Sequence, residues 1–272
     1  DQPRSRGLGD VYKRQVIELV DARVPMSSRN PDIDSLAQGK SRVILLNKAD
    51  LADDRITGQW FDFFSAKGYH VVKIDSRDRG KMKNVKSIID NACKEKKERD
   101  RKRGIINRPV RAMVAGIPNV GKSTFINSFA GKACAQTGNK PGVTKGKQWI
   151  RLNKDVELLD TPGILWPKFE DNTVGIRLAF IGSVNDQVIN MHELAGELVA
   201  YITRLYPGRL NERYKADESL QIADILRCIA TSRGCLKKGG EIDYDKAVSI
   251  LFDDFRSGKL GKVSLESPEE YL

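Results

Sequence analysis

The chain has 272 residues, 40% of them hydrophobic, and 47 Lys and Arg against 36 Asp and Glu give a formal net charge of +11. That length suits two domains or one large one with ample apolar content for a core, and the pI near 9.4 suits a chain that works against nucleic acid. No apolar run approaches membrane-spanning length, no secretory signal is visible, and Cys93, Cys134, Cys228 and Cys235 form no C-x-x-C pair, so a membrane protein and a zinc module are excluded and free thiols in a reducing cytoplasm are expected.

The opening stretch, Asp1 to Gln15, has no initiator Met, no periodicity and no His; it reads as a truncation or a fusion scar and is set aside from the fold. Strand-like runs begin at Val16. They span 16–21, 42–47, 70–75, 110–116, 147–152 and 155–160 and alternate with helical or loop stretches, which predicts an α/β domain over 16–171: a mainly parallel sheet with helices on both faces. A helix starting near Met82 runs into Lys94-Glu-Lys-Lys-Glu-Arg-Asp-Arg-Lys-Arg103, seven basic residues against three acidic. This run reads as a solvated helix end, with direct RNA contact as the alternative.

Three motifs fall at strand ends in this part. Asn47-Lys48-Ala49-Asp50 follows a buried-strand pattern, and its carboxylate can accept two parallel hydrogen bonds from the ring N–H and exocyclic amine of guanine, a donor pair that adenine lacks. Asn47 would brace that loop and Lys48 would pack over the base. Gly116-Ile-Pro-Asn-Val-Gly-Lys-Ser123 lies between an apolar strand and a helix and has the spacing of a P-loop: backbone N–H groups curl around phosphates, Lys122 reaches the β and γ groups, and Ser123 ligates Mg²⁺. Asp160-Thr-Pro-Gly163 closes the last strand, with Asp160 suited to hold Mg²⁺ through water and the Gly163 N–H available to a γ-phosphate. Thr144, in the Gly/Pro/Lys stretch between them, is the candidate switch threonine completing the Mg²⁺ shell. The guanine motif precedes the P-loop, the reverse of the Ras order, which points to a permuted GTPase.

From Asn172 strand patterns stop. Segments 175–182, 190–205, 220–233 and 243–256 read as amphipathic helices, with Ile222, Ile225, Leu226 and Ile229 at core spacing. They form an all-α second domain over 172–272. Its basic residues Arg227, Arg233, Lys237 and Lys238, and the segment 258–262, are candidate RNA contacts, a solvated positive face being the alternative.

The order Asn47-Lys-x-Asp, Gly116 to Ser123, Thr144, Asp160-Thr-Pro-Gly resembles the circularly permuted GTPases of the YlqF/YawG family. Asp21-Ala-Arg-Val-Pro-Met-Ser-Ser-Arg-Asn-Pro31 and Leu158 to Phe169 extend the likeness, which runs from about Val16 to the C-terminus. The resemblance implies a GTP-hydrolysing factor that binds a late precursor of the large ribosomal subunit and its rRNA, cycles between GTP and GDP with Mg²⁺, and leaves after hydrolysis. Turnover is expected to be slow and stimulated by the subunit, and the protein a cytoplasmic monomer.

It also assigns Asp75-Ser76 to the base. The nucleotide-contacting set is then Asn47, Lys48, Ala49, Asp50, Asp75, Ser76, Asn119, Val120, Gly121, Lys122, Ser123, Thr124 and Gly163. Lys122, Thr144, Asp160 and Gly163 carry catalysis, and Ser123, Thr144 and Asp160 hold the metal.

Two departures matter. The family's N-terminal segment holds a His proposed to assist hydrolysis, and no His precedes Val16; His70 and His192 read as satisfied positions. Ile164 stands where Ras-like enzymes carry a water-orienting Gln. Asn119 is a candidate K⁺ ligand by family logic, with a turn-stabilising amide as the equal alternative. A nucleotide-gated RNA-binding scaffold with little turnover, and a P-loop ATPase or kinase, are the rival readings; Asn47 to Asp50 argues against the second.

Overall fold

The computed structural model describes residues 15–37, 41–78, 80, 82–92, 94, 98, 101, 102, 104, 110–131, 135, 148–151, 156–161 and 171–272. Six strands, β1 (Gln15–Asp21), β2 (Arg42–Asn47), β3 (His70–Lys73), β4 (Val110–Ala115), β5 (Gln148–Arg151) and β6 (Val156–Asp160), form one sheet in the order β3-β2-β1-β4-β6-β5. All pairings are parallel except β5 against β6. The mainly parallel sheet expected from the sequence is therefore present, and every strand lies where the pattern put it, to within two residues.

β1 and β2 are buried along their whole length. Their sequences, QVIELVD and RVILLN, show no hydrophobic alternation, as a strand covered on both faces requires. The exception inside β1 is Glu18, whose carboxylate is held by Arg29 at 3.1 Å and Arg42 at 2.9 Å.

One face carries α2 (Asp54–Ala66), which begins where the Asp53 side chain accepts from the Ile56 N–H at 3.0 Å. Its Trp60 stacks on Phe64 with ring centroids 5.5 Å apart, over Val20, Ile44 and Leu46. The other face carries α3 (Met82–Ala92) and α4 (Lys122–Ala130), with Val85, Ile89, Phe125 and Ile126 set among Ile17, Leu19, Val43 and Leu45. A short α1 (Asp32–Leu36) lies between β1 and β2.

The C-terminal part holds α5 (Asn172–Phe180), α6 (Met191–Leu205), α7 (Arg209–Tyr214), α8 (Ile222–Ser232) and α9 (Tyr244–Arg256). Four of these match expected helices. α5 starts three residues earlier than its apolar pattern, because the Asp171 side chain caps it by accepting from the Thr173 N–H at 2.8 Å. The six-residue α7 gave no sequence signal; it is held by a remote carboxylate, Glu218, which accepts from the N–H groups of Gly208, Leu210 and Asn211 at 2.7, 2.7 and 3.0 Å.

The two parts share one core. Leu178, Phe180, Leu198, Ile202 and Leu251 belong to the same apolar cluster as Ile17 and Leu45. The last residues return to the sheet side: Val263 N–H donates to Leu51 O at 3.0 Å, Leu265 N–H to Arg23 O at 2.8 Å, and Trp60 Nε1 to Glu266 O at 3.2 Å. Among the described residues no helix is long and apolar enough to cross a membrane.

Candidate functional site

β1 sits between β2 and β4, so the direction in which strands are added reverses there, and in open α/β sheets ligands bind at the carboxyl ends of strands beside such a reversal. Asp21, Asn47, Asp160 and the turn after Ala115 all lie at those ends.

Asn47 joins three segments. Its Nδ2 donates to Val120 O in the P-loop at 2.6 Å, while its Oδ1 accepts from the Ser76 N–H at 3.0 Å and the Ser76 hydroxyl at 2.7 Å. The side chain is 1% exposed, so these bonds form away from water and fix the guanine loop, the P-loop and the Asp75-Ser76 segment relative to one another. The bracing role read from the sequence is thus visible as geometry. A side chain at Gly121, where φ is +95°, would strike that same Asn47 amide, and one at Gly116 would come within 2.7 Å of Leu19 O.

Lys48 adopts φ +58° and directs its Nζ to Asp21 Oδ2 at 3.0 Å. Asp21 is fully buried and also takes two bonds from Arg23, at 2.9 and 2.8 Å. Burial opposes its ionisation, but Arg23 and Lys48 outweigh that and hold the carboxyl well below the usual carboxylate range. Asp50 is engaged on one side only: Arg77 bonds Oδ2 and also Asp75, whereas Asp50 Oδ1 is buried without a hydrogen-bond partner. Arg77 and the Asp21–Arg23 pair were not identified as site neighbours from the sequence; they belong to motifs whose spacing shows position but not contact.

In the P-loop Lys122 is 7% exposed and donates to the loop's own carbonyls, Gly116 O at 2.9 Å and Ile117 O at 3.0 Å. Burial brings its ammonium down to about 8, with Asp160 opposing the shift. Asp160 is pushed up by burial, opposed by Lys122 and the Thr161 backbone, and its Oδ1 is buried and unpartnered. Asn119 takes φ +61° and its amide donates to Gly182 O, while Ser183 Oγ donates to Pro118 O at 2.8 Å. The turn after α5 therefore clasps the outer side of the P-loop. Nothing in the sequence beyond a helix-ending Gly marks that clasp.

Asp50 Oδ1 and Asp160 Oδ1 are the two buried carboxylate oxygens left without a partner among the described residues. An acceptor in the Asn47–Asp50 loop and an acceptor near Lys122 fit a purine edge and a hydrated cation. The donor set also fits magnesium, which needs few carboxylates and takes the rest of its shell from hydroxyls, water and phosphate; no group of three or more His, Cys, Asp or Glu gathers among the described residues. Thr144, Pro162, Gly163, Ile164, residues 1–14, Cys93, Cys134 and much of the run 94–103 lie outside the described residues. His192 is exposed and bonds Asp245 at 2.8 Å, and His70 is exposed at the start of β3.

The profile of the family described as 50S ribosome-binding GTPase matches residues 111–227. The ribosome biogenesis GTPase A of Bacillus cereus is 48% identical over 257 residues, covering 94% of this chain and 87% of that one. The protein of the same name from Thermotoga maritima is 34% identical, covering 94% and 86%. Among solved structures, GNP-bound YlqF from T. maritima is 28% identical with a TM-score of 0.67 over 97% of each chain. A GDP-bound YlqF is 27% identical with a TM-score of 0.69 over 97% of this chain and 100% of that one.

Proposed function

The chain belongs to the ribosome biogenesis GTPase A family and is a GTPase, and from that premise we propose that it serves late assembly of the large ribosomal subunit. It binds a subunit precursor and its rRNA as a cytoplasmic monomer when GTP is bound and leaves after hydrolysis. The observation that supports this reading at the site is the pair of unpartnered buried acceptors, Asp50 Oδ1 just beyond the carboxyl end of β2 and Asp160 Oδ1 at that of β6.

Asp50 reads guanine by accepting from its ring N–H and amine, with Asn47, Lys48 and Ala49 shaping the loop and Asp75 and Ser76 closing the base side. Backbone groups of Asn119, Val120, Gly121, Ser123 and Thr124 wrap the phosphates at the start of α4, where the helix dipole favours the anion. Lys122 exchanges the carbonyls of Gly116 and Ile117 for phosphate oxygens. Ser123, Thr144 and Asp160 would hold Mg²⁺, Asp160 through water, and the ion would supply positive charge against the phosphates. The Gly163 N–H meets the γ-phosphate. Ile164 stands where Ras-like enzymes carry a water-orienting Gln, so turnover is slow on its own and is stimulated by the subunit. Asn119 is the proposed K⁺ ligand; since its amide nitrogen is already given to Gly182 O, the ion would be held from the carbonyl side.

Sedimentation with purified subunits tests the role. In a GTP analogue the protein is expected to travel with large-subunit particles and in GDP to remain free. Equal association with small and large subunits, or association indifferent to the nucleotide, would overturn it.

A further inference from the structure

The carboxylate proposed to read the base is half occupied by the protein itself. Asp50 Oδ1 is buried without a hydrogen-bond partner, while Asp50 Oδ2 accepts from Arg77 Nη2. Guanine presents two parallel donors, its ring N–H and its amine, and a carboxylate meets such a pair with both oxygens. One of the two acceptors that guanine needs is therefore taken.

Arg77 is placed there by its neighbours. It directly follows Ser76, whose N–H and hydroxyl are held by Asn47 Oδ1 at 3.0 and 2.7 Å, so its backbone is tied to the guanine loop. Its side chain spans two carboxylates: Nε donates to Asp75 Oδ1 at 2.9 Å, and Nη2 donates to Asp75 Oδ2 at 3.1 Å as well as to Asp50. The Arg77 backbone N–H adds a further bond to Asp75 Oδ1 at 2.9 Å. Leaving Asp50 breaks one bond, and the hold of Nε and the backbone on Asp75 remains. The side chain is 65% exposed, so water replaces what is lost. Arg77 is thus firmly fixed beside Asp50 and weakly fixed on it.

We infer that Arg77 is a specificity-determining residue, which competes with guanine for the second oxygen of Asp50 and leaves a base with a single donor unhindered. The inference rests on the proposed role of Asp50 as the guanine reader. Guanine binds only after Nη2 has left Oδ2, so its apparent affinity is reduced to the fraction of molecules in which that oxygen is open. Hypoxanthine, the same base without the exocyclic amine, offers one ring N–H, and the open Oδ1 accepts it with Arg77 in place. Arg77 therefore narrows the preference for guanine over hypoxanthine. A guanidinium near a nucleotide site ordinarily attracts the anionic ligand and aids binding. Competition for Asp50 has the opposite sign, which makes the two effects separable.

The test uses the full chain and its Arg77→Ala variant with GDP and inosine diphosphate, after urea unfolding has been compared; stability is expected to match, because the side chain is exposed. The variant is expected to bind GDP about two- to fivefold more tightly, the scale of a solvent-exposed ion pair. The gain should lie in the association rate, with the dissociation rate unchanged, and the affinity for inosine diphosphate should stay the same. A second measurement needs no mutation. Raising salt from about 50 to about 500 mM screens the Arg77–Asp50 pair, so the ratio of GDP to inosine diphosphate affinity should rise in the unmodified protein and stay level in the variant.

Unchanged or weaker GDP binding by Arg77→Ala, an equal gain for inosine diphosphate, or a ratio indifferent to salt in the unmodified protein would overturn the inference. Asp50→Asn, tested with xanthosine diphosphate, separates this from the reading beneath it. If that variant gains no relative affinity for xanthine, Asp50 is not the base reader and the inference falls with it. A gain there, with no tighter GDP binding in Arg77→Ala, removes the inference alone.

Discussion

The nucleotide loops and the seam between sheet and C-terminal helices both bury carboxylates, and they differ in whether the carboxylate oxygens are satisfied. Glu266 at the seam is 3% exposed, and its carboxylate is filled by Ser27, Met26, Arg177 and Tyr271. Burial raises its carboxyl, and the Ser27 and Arg177 contacts counter the rise. Asp50 and Asp160 are likewise carboxylates at least partly withdrawn from water, yet each keeps one buried oxygen unmet. Leaving a buried acceptor unpaired costs about 1–3 kcal/mol. The Glu266 carboxylate is fully met by protein groups, whereas Asp50 and Asp160 each keep an oxygen that a ligand could meet.

That contrast predicts mutations that separate stability from binding. The largest expected effect lies at the seam. Trp60 is fully buried, contacts Phe63, Phe64 and Tyr271, and donates to Glu266 O, so Trp60→Ala should cost about 3–5 kcal/mol of folding stability. GDP affinity of the folded fraction should stay within a few-fold. Urea unfolding with and without GDP measures both, and a stability loss under about 1 kcal/mol would show that the terminal segment does not secure the sheet.

At the open seats the order of effects reverses. Asp50→Asn should lose about 2–4 kcal/mol of GTP binding, the scale of a broken charge-assisted pair, and gain relative affinity for xanthosine triphosphate. Folding stability without nucleotide should change by no more than about 0.5 kcal/mol, because the carboxylate's ion pair with Arg77 is at the surface. Equal binding of ATP and GTP by the unmodified protein would remove Asp50 as the base reader.

These cases also show what could be read from the sequence. The strands were legible because each rests on a local apolar run, and the described parts of the three motifs lie at strand ends, where the sequence put them. The Asn47 bridge was half legible, since its loop-bracing role follows from the motif but its reach to Val120 and Ser76 is tertiary. Arg77 on Asp50, Gly182 on Asn119 and Glu218 on α7 were not legible, because each joins residues through contacts that no spacing rule encodes.

A smaller effect concerns pH. In the free protein burial holds the Lys122 ammonium at about 8, while bound phosphates would favour the charged form and raise it. Above pH 8 the free protein has lost this proton and the complex keeps it, so binding must take up a proton and affinity must fall. The expected course is flat from pH 7 to 8, then a decline approaching tenfold per unit between 8 and the higher value of the complex. Guanine itself deprotonates in that range, so Lys122→Arg is the control: arginine stays charged, and only the base's contribution should remain. Identical profiles for the two proteins would show that Lys122 is already charged across the range.

The smallest expected effect probes the clasp where the two regions meet. Asn119 is held with φ +61° and gives its amide nitrogen to Gly182 O, at the end of the turn that also bonds Pro118 through Ser183. If the other side of that amide helps hold a monovalent cation against the phosphates, K⁺ should raise turnover over Na⁺ by a factor of a few at matched ionic strength. Asn119→Asp keeps an oxygen for the ion but removes the donor to Gly182 O. It should keep the preference for K⁺ while lowering stability by about 1 kcal/mol, the net worth of one hydrogen bond. Asn119→Ala should lose both. Equal rates in the two salts for the unmodified protein would assign Asn119 wholly to the clasp, a residue that shapes the P-loop from the helical side without touching the chemistry.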